Sequence, residues 1–512
     1  MLDGLLLGFQ TAMSMQNIMF VIFGCFVGTF IGMLPGLGPI TAIALMIPIT
    51  YGIDPSSGMI LMAGVYYGAI FGGSTSSILI NAPGVAGTVA TSFDGYPMAC
   101  KGQAGKALAI AAYASFSGGT IAAVFLLVAA PMLSKFSLSF QSPDYFALLL
   151  LGLTAVAAFS NKGSFLKSIM MTLFGLMLST VGTDQASGVE RFTFGQIDLL
   201  DGISFLLIAM SMFALSEALL SIISNNKDKK SGLNSVTPAT EVGSLKLTKA
   251  EIKEMAPTVA RSSVLGFFVG VLPGAGATIA SFLAYGMERN LASAKEKLKF
   301  GKGSLRGLAA PETANNAACS GSFVPLLTLG IPGSGTTAVM LGALMAYGIQ
   351  PGPRLFIDNP EVFWSVIVSM YIGNIVLLLI NLPLIPYIAK ALTLPKQLLT
   401  VLILFFSLIG VYLVSFNAFD IFMMAGFAVI AIGLRLLNFS MSPLILGFIL
   451  GGMLEQNLRR SLTLYDGSIS FLWDRPITLG ILTVTALVLL MPIISTLRKG
   501  NGSTSQEKVA EI

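Results

Sequence analysis

Residues 28–38 read GTFIGMLPGLG, and residues 266–276 read GFFVGVLPGAG. Seven of the eleven aligned positions are identical, and the two copies are offset by 238 residues. Self-similarity of this kind indicates a repeated structural unit. Each copy combines a glycine ridge with a Pro-Gly-x-Gly turn in an apolar surrounding, so we predict two related halves, each with a sharp turn inside a hydrophobic segment.

Further matches extend the repeat on the C-terminal side of these turns. At an offset of 249, Gly72, Pro83, Gly84 and Thr88 align with Gly321, Pro332, Gly333 and Thr337, and at 252, Pro143 aligns with Pro395. The predicted halves cover residues 15–223 and 258–457, joined by a polar linker at 224–257. A helix at 476–497 lies outside the repeat, and a polar cytoplasmic tail follows at 498–512.

The composition places these halves in a membrane. The mean hydropathy is +0.84 and only 10% of the residues are charged, against about 25% in soluble proteins. About ten continuous apolar stretches are long enough for a helix that crosses a bilayer. Continuous rather than alternating apolar residues exclude a barrel. We therefore predict an all-α polytopic membrane protein.

The same composition excludes several kinds of chemistry. Histidine is absent and the three cysteines are scattered, so no metal site, His-dependent catalytic triad or disulfide framework is expected. No GxxxxGK[ST] loop for nucleotide phosphates occurs. We expect no enzyme activity, no cofactor and no nucleic-acid partner.

The loops after the first turn of each half predict an inverted arrangement. Residues 52–57 carry no base, whereas residues 288–306 carry six. Basic loops stay cytoplasmic, so equivalent loops face opposite sides. This topology has about 11 net crossings, with an outside N-terminus and an inside C-terminus. It places 23 of the 29 Lys and Arg residues inside, the exceptions being Lys135, Arg191, Arg354, Arg459, Arg460 and Arg475.

Each half contains two interruptions of its apolar sequence. Hairpin arms of about 16 residues reach only about 24 Å, so the Pro-Gly turns should form re-entrant tips within the membrane. The second interruption is polar, and paired helix breaks in inverted repeats point to a transport site. The predicted substrate- or ion-binding residues are Pro35, Gly36, Gly38, Thr41, Ser74, Thr75, Ser76, Asn81, Gly274, Gly276, Thr278, Asn315, Asn316, Ser334 and Thr336.

These residues suit an anion and a coupling ion for different reasons. The free N–H groups at half-helix N-termini attract carboxylates, and exposed carbonyl and hydroxyl oxygens suit sodium. Glu312 is the acid nearest to a break, and an intramembrane carboxylate is a functional candidate. The alternatives are structural: a Pro-Gly turn can be a kink, and Ser or Thr can join helices.

Four segments identify a family. The GxxxGxLPGxG turns, GGSTSSILINAPG at 72–84, PETANNAA at 311–318 and GIPGSGTTAVMLGAL at 330–344 closely resemble the TctA-type large membrane subunit of the tripartite tricarboxylate transporters. The resemblance covers residues 15–497. It implies a bacterial inner-membrane protein that works with a small membrane subunit and a periplasmic substrate-binding protein. Such proteins take up citrate or related carboxylates with a sodium or proton gradient.

A channel is the alternative, because channels also use re-entrant loops, although a channel does not need two inverted halves with matched breaks. For a transporter, we expect the two hairpins and two breaks to move as one body against helices near 144–223 and 395–457. Membrane lipid should contact the basic loop at 288–306.

The topology can be tested by cysteine labelling. Single cysteines at Lys295, Lys297 or Lys299 should react with a membrane-impermeant reagent only after cells are permeabilised, because their loop is basic. A cysteine at Ile53, in the equivalent loop, should react in intact cells. Labelling of the lysine positions from outside would reverse the predicted topology.

Overall fold

A computed structural model describes residues 2–34, 37–159, 165–184, 186–220, 222–223, 243–388 and 396–500. Most of these residues are helical. The longer helices are α1 Leu2–Ala12, α2 Met15–Gly32, α3 Gly38–Thr50, α4 Pro55–Ile80, α5 Val89–Cys100, α6 Ala104–Ser137, α7 Ser142–Phe159, α8 Phe165–Ser179, α9 Phe205–Ala209 with its π-helical continuation Met210–Leu215, α10 Lys249–Val271, α11 Gly276–Leu291, α12 Leu305–Leu329, α13 Gly335–Ala346, α14 Pro360–Asn381, α15 Lys396–Ser415, α16 Ala418–Leu436, α17 Met441–Leu464 and α18 Pro476–Gly500.

Shorter pieces lie between these helices. They are the 3₁₀ turns Ala86–Thr88 and Ile197–Leu199 and the short helices Ala294–Lys297, Leu355–Asp358, Ile385–Ile388 and Phe471–Asp474. In the part of the chain that the structure describes, the strands are β1 Gly182–Thr183 and β2 Glu190–Arg191, an antiparallel pair. The expectation of a helical protein is therefore met, apart from this two-residue hairpin.

Several helices have the length and composition of membrane spans. Among the described residues, four reach at least 18 residues with sufficient hydropathy: Met15–Gly32, Ala104–Ser137, Pro360–Asn381 and Ala418–Leu436. Seven more apolar helices are shorter, from 10 to 17 residues. A helix of 18 residues spans about 27 Å, close to the thickness of the hydrocarbon core.

The chain forms two compact units. Unit 1 contains Met1–Leu138 and Ser204–Leu434, and unit 2 contains Ser139–Ile203 and Arg435–Ile512. Helices α9 and α15 lie in unit 1, and Gly410 of α15 lies against Pro48 of α3 and Met210 of the α9 continuation. Helices α9 and α15 thus share unit 1 with the hairpins, and the movement of the hairpins against 144–223 and 395–457 stays a prediction.

Glycines let the helices of unit 1 approach to backbone contact. A Cβ added to Gly28 or Gly32 of α2 would lie 2.3 or 2.1 Å from the carbonyl oxygens of Val65 and Ala69 in α4. These distances leave no room for any side chain. Close approach through small residues is the main way in which membrane helices gain packing energy.

The second half repeats these contacts at the aligned positions. A Cβ on Gly266 or Gly270 of α10 would lie 2.4 or 2.2 Å from the carbonyl oxygens of Ala314 and Ala318 in α12. The reverse contacts match as well, because a Cβ on Gly72 would meet the Thr29 carbonyl and one on Gly321 the Phe267 carbonyl, at 2.0 and 2.4 Å.

Both glycine-packed helices end in the same way. Asn81 after α4 has φ +52° and donates its N–H to the Ser76 carbonyl, and Gly330 after α12 has φ +69° and donates to the Pro325 carbonyl. A left-handed residue at this place ends a helix and satisfies its last carbonyls. Helix then resumes at Ala86–Thr88 in one half and at Gly335 in the other.

Two helix starts differ from the sequence expectations. Helix α10 begins at Lys249, within the predicted linker, because Thr248 and Glu251 form a capping box. The carboxylate of Glu251 also pairs with Lys106 of α6. The hydrogen bond from Lys106 and those from Thr248 hold the pKa of Glu251 below its usual value.

Helix α1 was not predicted, and its Gly4 and Gly8 pack against Trp364.

Ion pairs organise unit 2. Buried Asp144 in α7 accepts hydrogen bonds from Arg475, at 2.7 Å, and from Thr478, at 2.6 Å. Asp184, beside the β-hairpin, pairs with Arg191 at 2.8 Å and Arg459 at 3.1 Å. Hydrogen bonds from Ser187 and Arg191 hold the pKa of Asp184 well below its usual range. Three of the arginines that the predicted topology places outside therefore form ion pairs with carboxylates: Arg191, Arg459 and Arg475.

A single methyl group tests the glycine contact. Gly270→Ala should lower the thermal stability of the purified protein, because overpacking costs about 1–3 kcal/mol and the Ala318 carbonyl cannot move independently of its helix. Gly426→Ala in α16 is the matched control, since nothing lies within 4 Å of its added Cβ. Equal melting temperatures for both variants would contradict the packing described above.

Candidate functional site

Glu312 is the one carboxylate in the middle of α12, and no part of its side chain is exposed. The helix begins seven residues earlier at Leu305, so Glu312 lies about 10 Å along its axis. Burial of a carboxylate is costly unless other groups satisfy its oxygens. Its partners therefore define the site.

Three hydroxyl groups from three helices donate to Glu312. Ser74 of α4 and Ser115 of α6 donate to Oε2 at 2.7 and 2.8 Å. Thr91 of α5 donates to Oε1. All three side chains are buried. We call these four residues the carboxylate cluster. It joins elements from both halves of the chain.

The cluster contains no positive charge. Within the described part of the chain, none of the Lys or Arg side chains forms an ion pair with Glu312. No group of three or more Cys, Asp or Glu residues that could hold a metal occurs among the residues described. The hydroxyl donors are thus the visible stabilisation of the Glu312 side chain.

Asp94 fixes the start of the helix that carries Glu312. Its Oδ1 accepts the backbone N–H groups of Gly303, at 2.8 Å, and Ser304, at 2.7 Å. Ser304 then caps α12 by accepting the N–H of Gly307. A carboxylate at a helix N-terminus also interacts favourably with the helix dipole. This contact sets the position of α12 against α5.

The two asparagines beside Glu312 bind backbone and each other. Asn315 Nδ2 donates to the Gly87 carbonyl at 3.3 Å, and Asn316 Nδ2 donates to Asn315 Oδ1 at 2.7 Å. Asn316 Nδ2 also reaches the Glu312 carbonyl. Both side chains are fully buried, and Asn316 Oδ1 has no partner among the described residues.

The second Pro-Gly turn meets the second break. Gly274, at φ +80°, donates its N–H to the Gly333 carbonyl at 3.0 Å, so this amide is already occupied. Gly276, at φ +58°, lies beside Ser334. Ser334 caps α13 by accepting the N–H of Thr337, and its Oγ lies 3.3 Å from the Tyr66 hydroxyl of α4.

The other predicted residues occupy varied surroundings. Thr41, Thr75 and Thr336 are buried, and Thr278 is half-buried. Ser76 donates to the Gly73 carbonyl, and Asn81 is exposed. Gly38 has φ +66° with open space around it. Pro35 and Gly36 lie outside the described residues.

A small cavity adjoins the carboxylate cluster. It measures about 10 Å³, which is room for one water molecule. Its lining includes Ser74, Thr75, Ser115 and Asn381 among apolar side chains. The Oδ1 of Asn381 is buried and unpaired in the described structure.

Comparison with known proteins assigns the chain to a family. The sequence profile described as "Tripartite tricarboxylate transporter TctA family" matches residues 18–446.

The chain belongs to the TctA family.

It is therefore a membrane component of a transporter and not an enzyme. Two proteins of Agrobacterium vitis are similar to this TctA chain. One, described as an uncharacterized 52.8 kDa protein in the TAR-I ttuC' 3'region, is 41% identical over 498 residues, 97% of each chain. The other, described as an uncharacterized protein in the TAR-II ttuC' 3'region, is 39% identical over 233 residues, 46% of this chain and 96% of that protein. No solved structure matches.

Sequence reasoning missed part of this candidate site. Thr91 and Ser115 bind Glu312 but lie in mainly apolar helices, where a hydroxyl is common and usually joins helices. Tyr66 was not considered, because it lies in an apolar run of α4. Comparison of the two halves could have marked Glu312 as a special position, because the residue aligned with it at the offset of 249 is Ala63, which carries no charge. Likewise, Ser74 corresponds to Phe323.

Removal of one donor should weaken the TctA fold at this cluster. Ser115→Ala leaves Glu312 Oε2 with one hydroxyl donor fewer, which should cost about 1–3 kcal/mol. Ser117→Ala, two residues along the same helix and half-buried, is the control. Thermal denaturation in detergent measures both. A Ser115→Ala protein as stable as Ser117→Ala would mean that the hydrogen bond contributes nothing.

Proposed function

We propose that this chain performs secondary active uptake of a tricarboxylate or related carboxylate, such as a citrate-like acid, coupled to a sodium or proton gradient. A periplasmic binding protein would deliver the substrate, and a small membrane subunit would complete the transporter. The bacterial inner membrane is the proposed location. Membership of the family supports the class of transporter and of partners.

The observation that carries this proposal is the meeting of both breaks between the two halves. Asn315, in the helix before the second break, binds the Gly87 carbonyl just after the first break. Tyr66, before the first break, contacts Ser334 at the second. Gly87 also lies beside Ala277, next to the second Pro-Gly turn. Helix ends from both halves would thus surround one site.

Such a site suits a carboxylate without any buried cation. Helix α13 begins at the second break, and its first N–H groups and positive dipole end face that break. The 3₁₀ turn Ala86–Thr88 and α5 begin after the first break. Half-helix N-termini bind anionic substrates in other transporter folds. Thr336, Ser334 and the Pro-Gly tips would add hydrogen bonds.

The repeat architecture of the proposed transporter is inverted, with residues 15–223 related to 258–457 by a pseudo-twofold axis in the membrane plane. The matched glycine contacts of α2 with α4 and of α10 with α12 support equivalent halves. The opposite charge of loops 52–57 and 288–306 supports the inversion. The two hairpins would enter from opposite faces among about 11 net crossings.

Uptake by membrane vesicles tests the proposal. Vesicles with the complete transporter and its binding protein should accumulate a radiolabelled carboxylate in a saturable manner. Gly274→Val should abolish this uptake, because valine at φ +80° is strained by about 1–3 kcal/mol and the turn would shift.

The matched control is Gly286→Val in α11, where nothing lies within 4 Å of an added Cβ. Membrane abundance of each variant is measured on the same vesicles. Uptake by Gly274→Val at the rate of Gly286→Val, with equal abundance, would exclude the turn from the transport site. Non-saturable flux through the unmodified protein without the binding protein would indicate a channel.

A further inference from the structure

The carboxylate cluster has the chemistry of a proton carrier. We propose that Glu312 binds and releases the proton that drives uptake, with Ser74, Thr91 and Ser115 as its hydrogen-bonding partners. This inference rests on the proposed function, and it names the coupling ion and the residue that binds it. It is argued from hydrogen-bond geometry, an adjacent cavity and the charges around the cluster.

The geometry favours a proton over a metal cation. Ser74 and Ser115 lie 2.7 and 2.8 Å from Glu312 Oε2, distances typical of O–H···O⁻ hydrogen bonds. The hydroxyl hydrogens therefore lie between the oxygens and point at the carboxylate. Binding of a sodium ion at Oε2 would require both hydroxyls to turn away from the carboxylate, whereas binding of a proton requires only the Ser74 hydroxyl to turn.

The cluster can satisfy the hydrogen-bonding groups of Glu312 in both its ionised and its protonated state. With Glu312 ionised, its two oxygens accept three hydrogen bonds. When a proton binds Oε2, the new O–H can donate to Ser74 Oγ, and the Ser74 hydroxyl can turn to the Ile70 carbonyl, 3.3 Å away. Ser115 has a second acceptor as well, the Glu312 carbonyl at 3.5 Å. One proton is gained, one O–H bond forms, and no buried donor loses its acceptor.

The cavity beside Ser74 and Ser115 provides a place for the proton donor. It has room for one water molecule, and Asn381 Oδ1 in its lining is buried with no hydrogen-bond partner in the described part of the chain. A water there could donate one hydrogen bond to the Oγ of Ser74 or Ser115 and one to Asn381 Oδ1. A proton that reaches this water as hydronium would pass to the Oγ of Ser74 or Ser115 while that hydroxyl passes its own proton to Glu312 Oε2, so that neutral water remains, and the reverse shift returns the proton.

Several charged groups on the surrounding helices have partners of their own. Helix α4 contains no Asp, Glu, Lys or Arg. Apart from Glu312, the charged residues on the neighbouring helices α5, α6, α10, α11 and α12 are Asp94, Lys106, Lys135, Lys249, Glu251, Lys253, Glu254, Arg261, Glu288, Arg289 and Arg306. The other titratable side chains, on α4–α6, α11 and α12, are Tyr66, Tyr67, Tyr96, Cys100, Tyr113, Tyr285 and Cys319.

Three of these charged groups bind groups other than Glu312. Asp94 binds the amides of Gly303 and Ser304, and Arg306 pairs with Glu288 at 2.6 Å. Lys106 pairs with Glu251. A proton is therefore the simplest species that can neutralise Glu312, because burial of an unpaired carboxylate is expensive.

The test compares Glu312→Gln with the unmodified transporter in proteoliposomes. The membrane potential is clamped, the binding protein is supplied, and a pH gradient of one unit is imposed with the acidic side outside. One proton for each substrate should sustain about tenfold accumulation. Glu312→Gln should show no accumulation but should still exchange labelled for unlabelled substrate, because the amide mimics the protonated acid. Glu361→Gln, which changes an exposed carboxylate in α14, should accumulate like the unmodified protein.

Several results would overturn the assignment. Normal accumulation by Glu312→Gln would exclude Glu312 as the carrier. Accumulation driven by a sodium gradient but not by a pH gradient would exclude the proton. Loss of both exchange and accumulation at normal membrane abundance would give Glu312 a binding or structural role instead of proton coupling.

A spectroscopic measurement separates this inference from the proposed function. Infrared difference spectra of the purified protein between acidic and basic pH should contain the C=O band of a buried carboxylic acid. The band should vanish in Glu312→Gln and persist in Glu361→Gln. Absence of the band from the unmodified protein would refute proton binding, whereas absence of all uptake with an intact band would refute the proposed function alone. If Glu312→Gln does not reach the membrane, Glu312→Asp keeps the titration and should shift the frequency of the band.

Discussion

The structure depends on the contact of glycine Cα atoms with carbonyl oxygens on a neighbouring helix. Lipid tails are as apolar as the helix surfaces, so the hydrophobic effect does not drive helices together in a membrane. Close van der Waals packing must therefore stabilise their association. The helix backbones touch where Gly32 lies beside Ala69 and where Gly270 lies beside Ala318, with no space for a side chain between them. Gly84 and Gly333, just after the breaks, continue these contacts toward the carbonyls of Gly32 and Gly270. The breaks are therefore held against the hairpins by the same contact that pairs the helices.

This shared packing carries different chemistry in the two halves. At equivalent places, the first half has Ala63 and the second has Glu312, while Ser74 in the first half corresponds to Phe323 in the second. The carboxylate thus comes from one half and a hydroxyl donor from the other. A symmetric scaffold provides equivalent positions, and substitutions at those positions make one asymmetric cluster instead of two copies of the same cluster.

The sequence predicted the features that depend on local geometry. Glycine and proline at fixed offsets located the turn before α11, the helix ends after Ile80 and Leu329, and the glycine-packed faces, because each requires a particular residue type at a particular position. Features that arise from tertiary contact were not predictable. The partners of Glu312 lie on three helices that are distant in sequence, and nothing local marks Thr91 or Ser115. The start of α10 depended on a capping box outside the apolar run, and the packing of α15 on α3 depended on the contact of Gly410 with Pro48.

The cap that Asp94 provides has a consequence for the order of assembly. Asp94 belongs to the first half, whereas the amides that it binds belong to Gly303 and Ser304, about 210 residues later in the chain. Ribosomes deliver the first half to the membrane well before these amides exist. Until the later segment is inserted, the Asp94 carboxylate must therefore be hydrated or bound to other groups. The helix that carries Glu312 acquires its final N-terminus only at that moment, which makes biogenesis of the cluster a late event that requires both halves in one membrane.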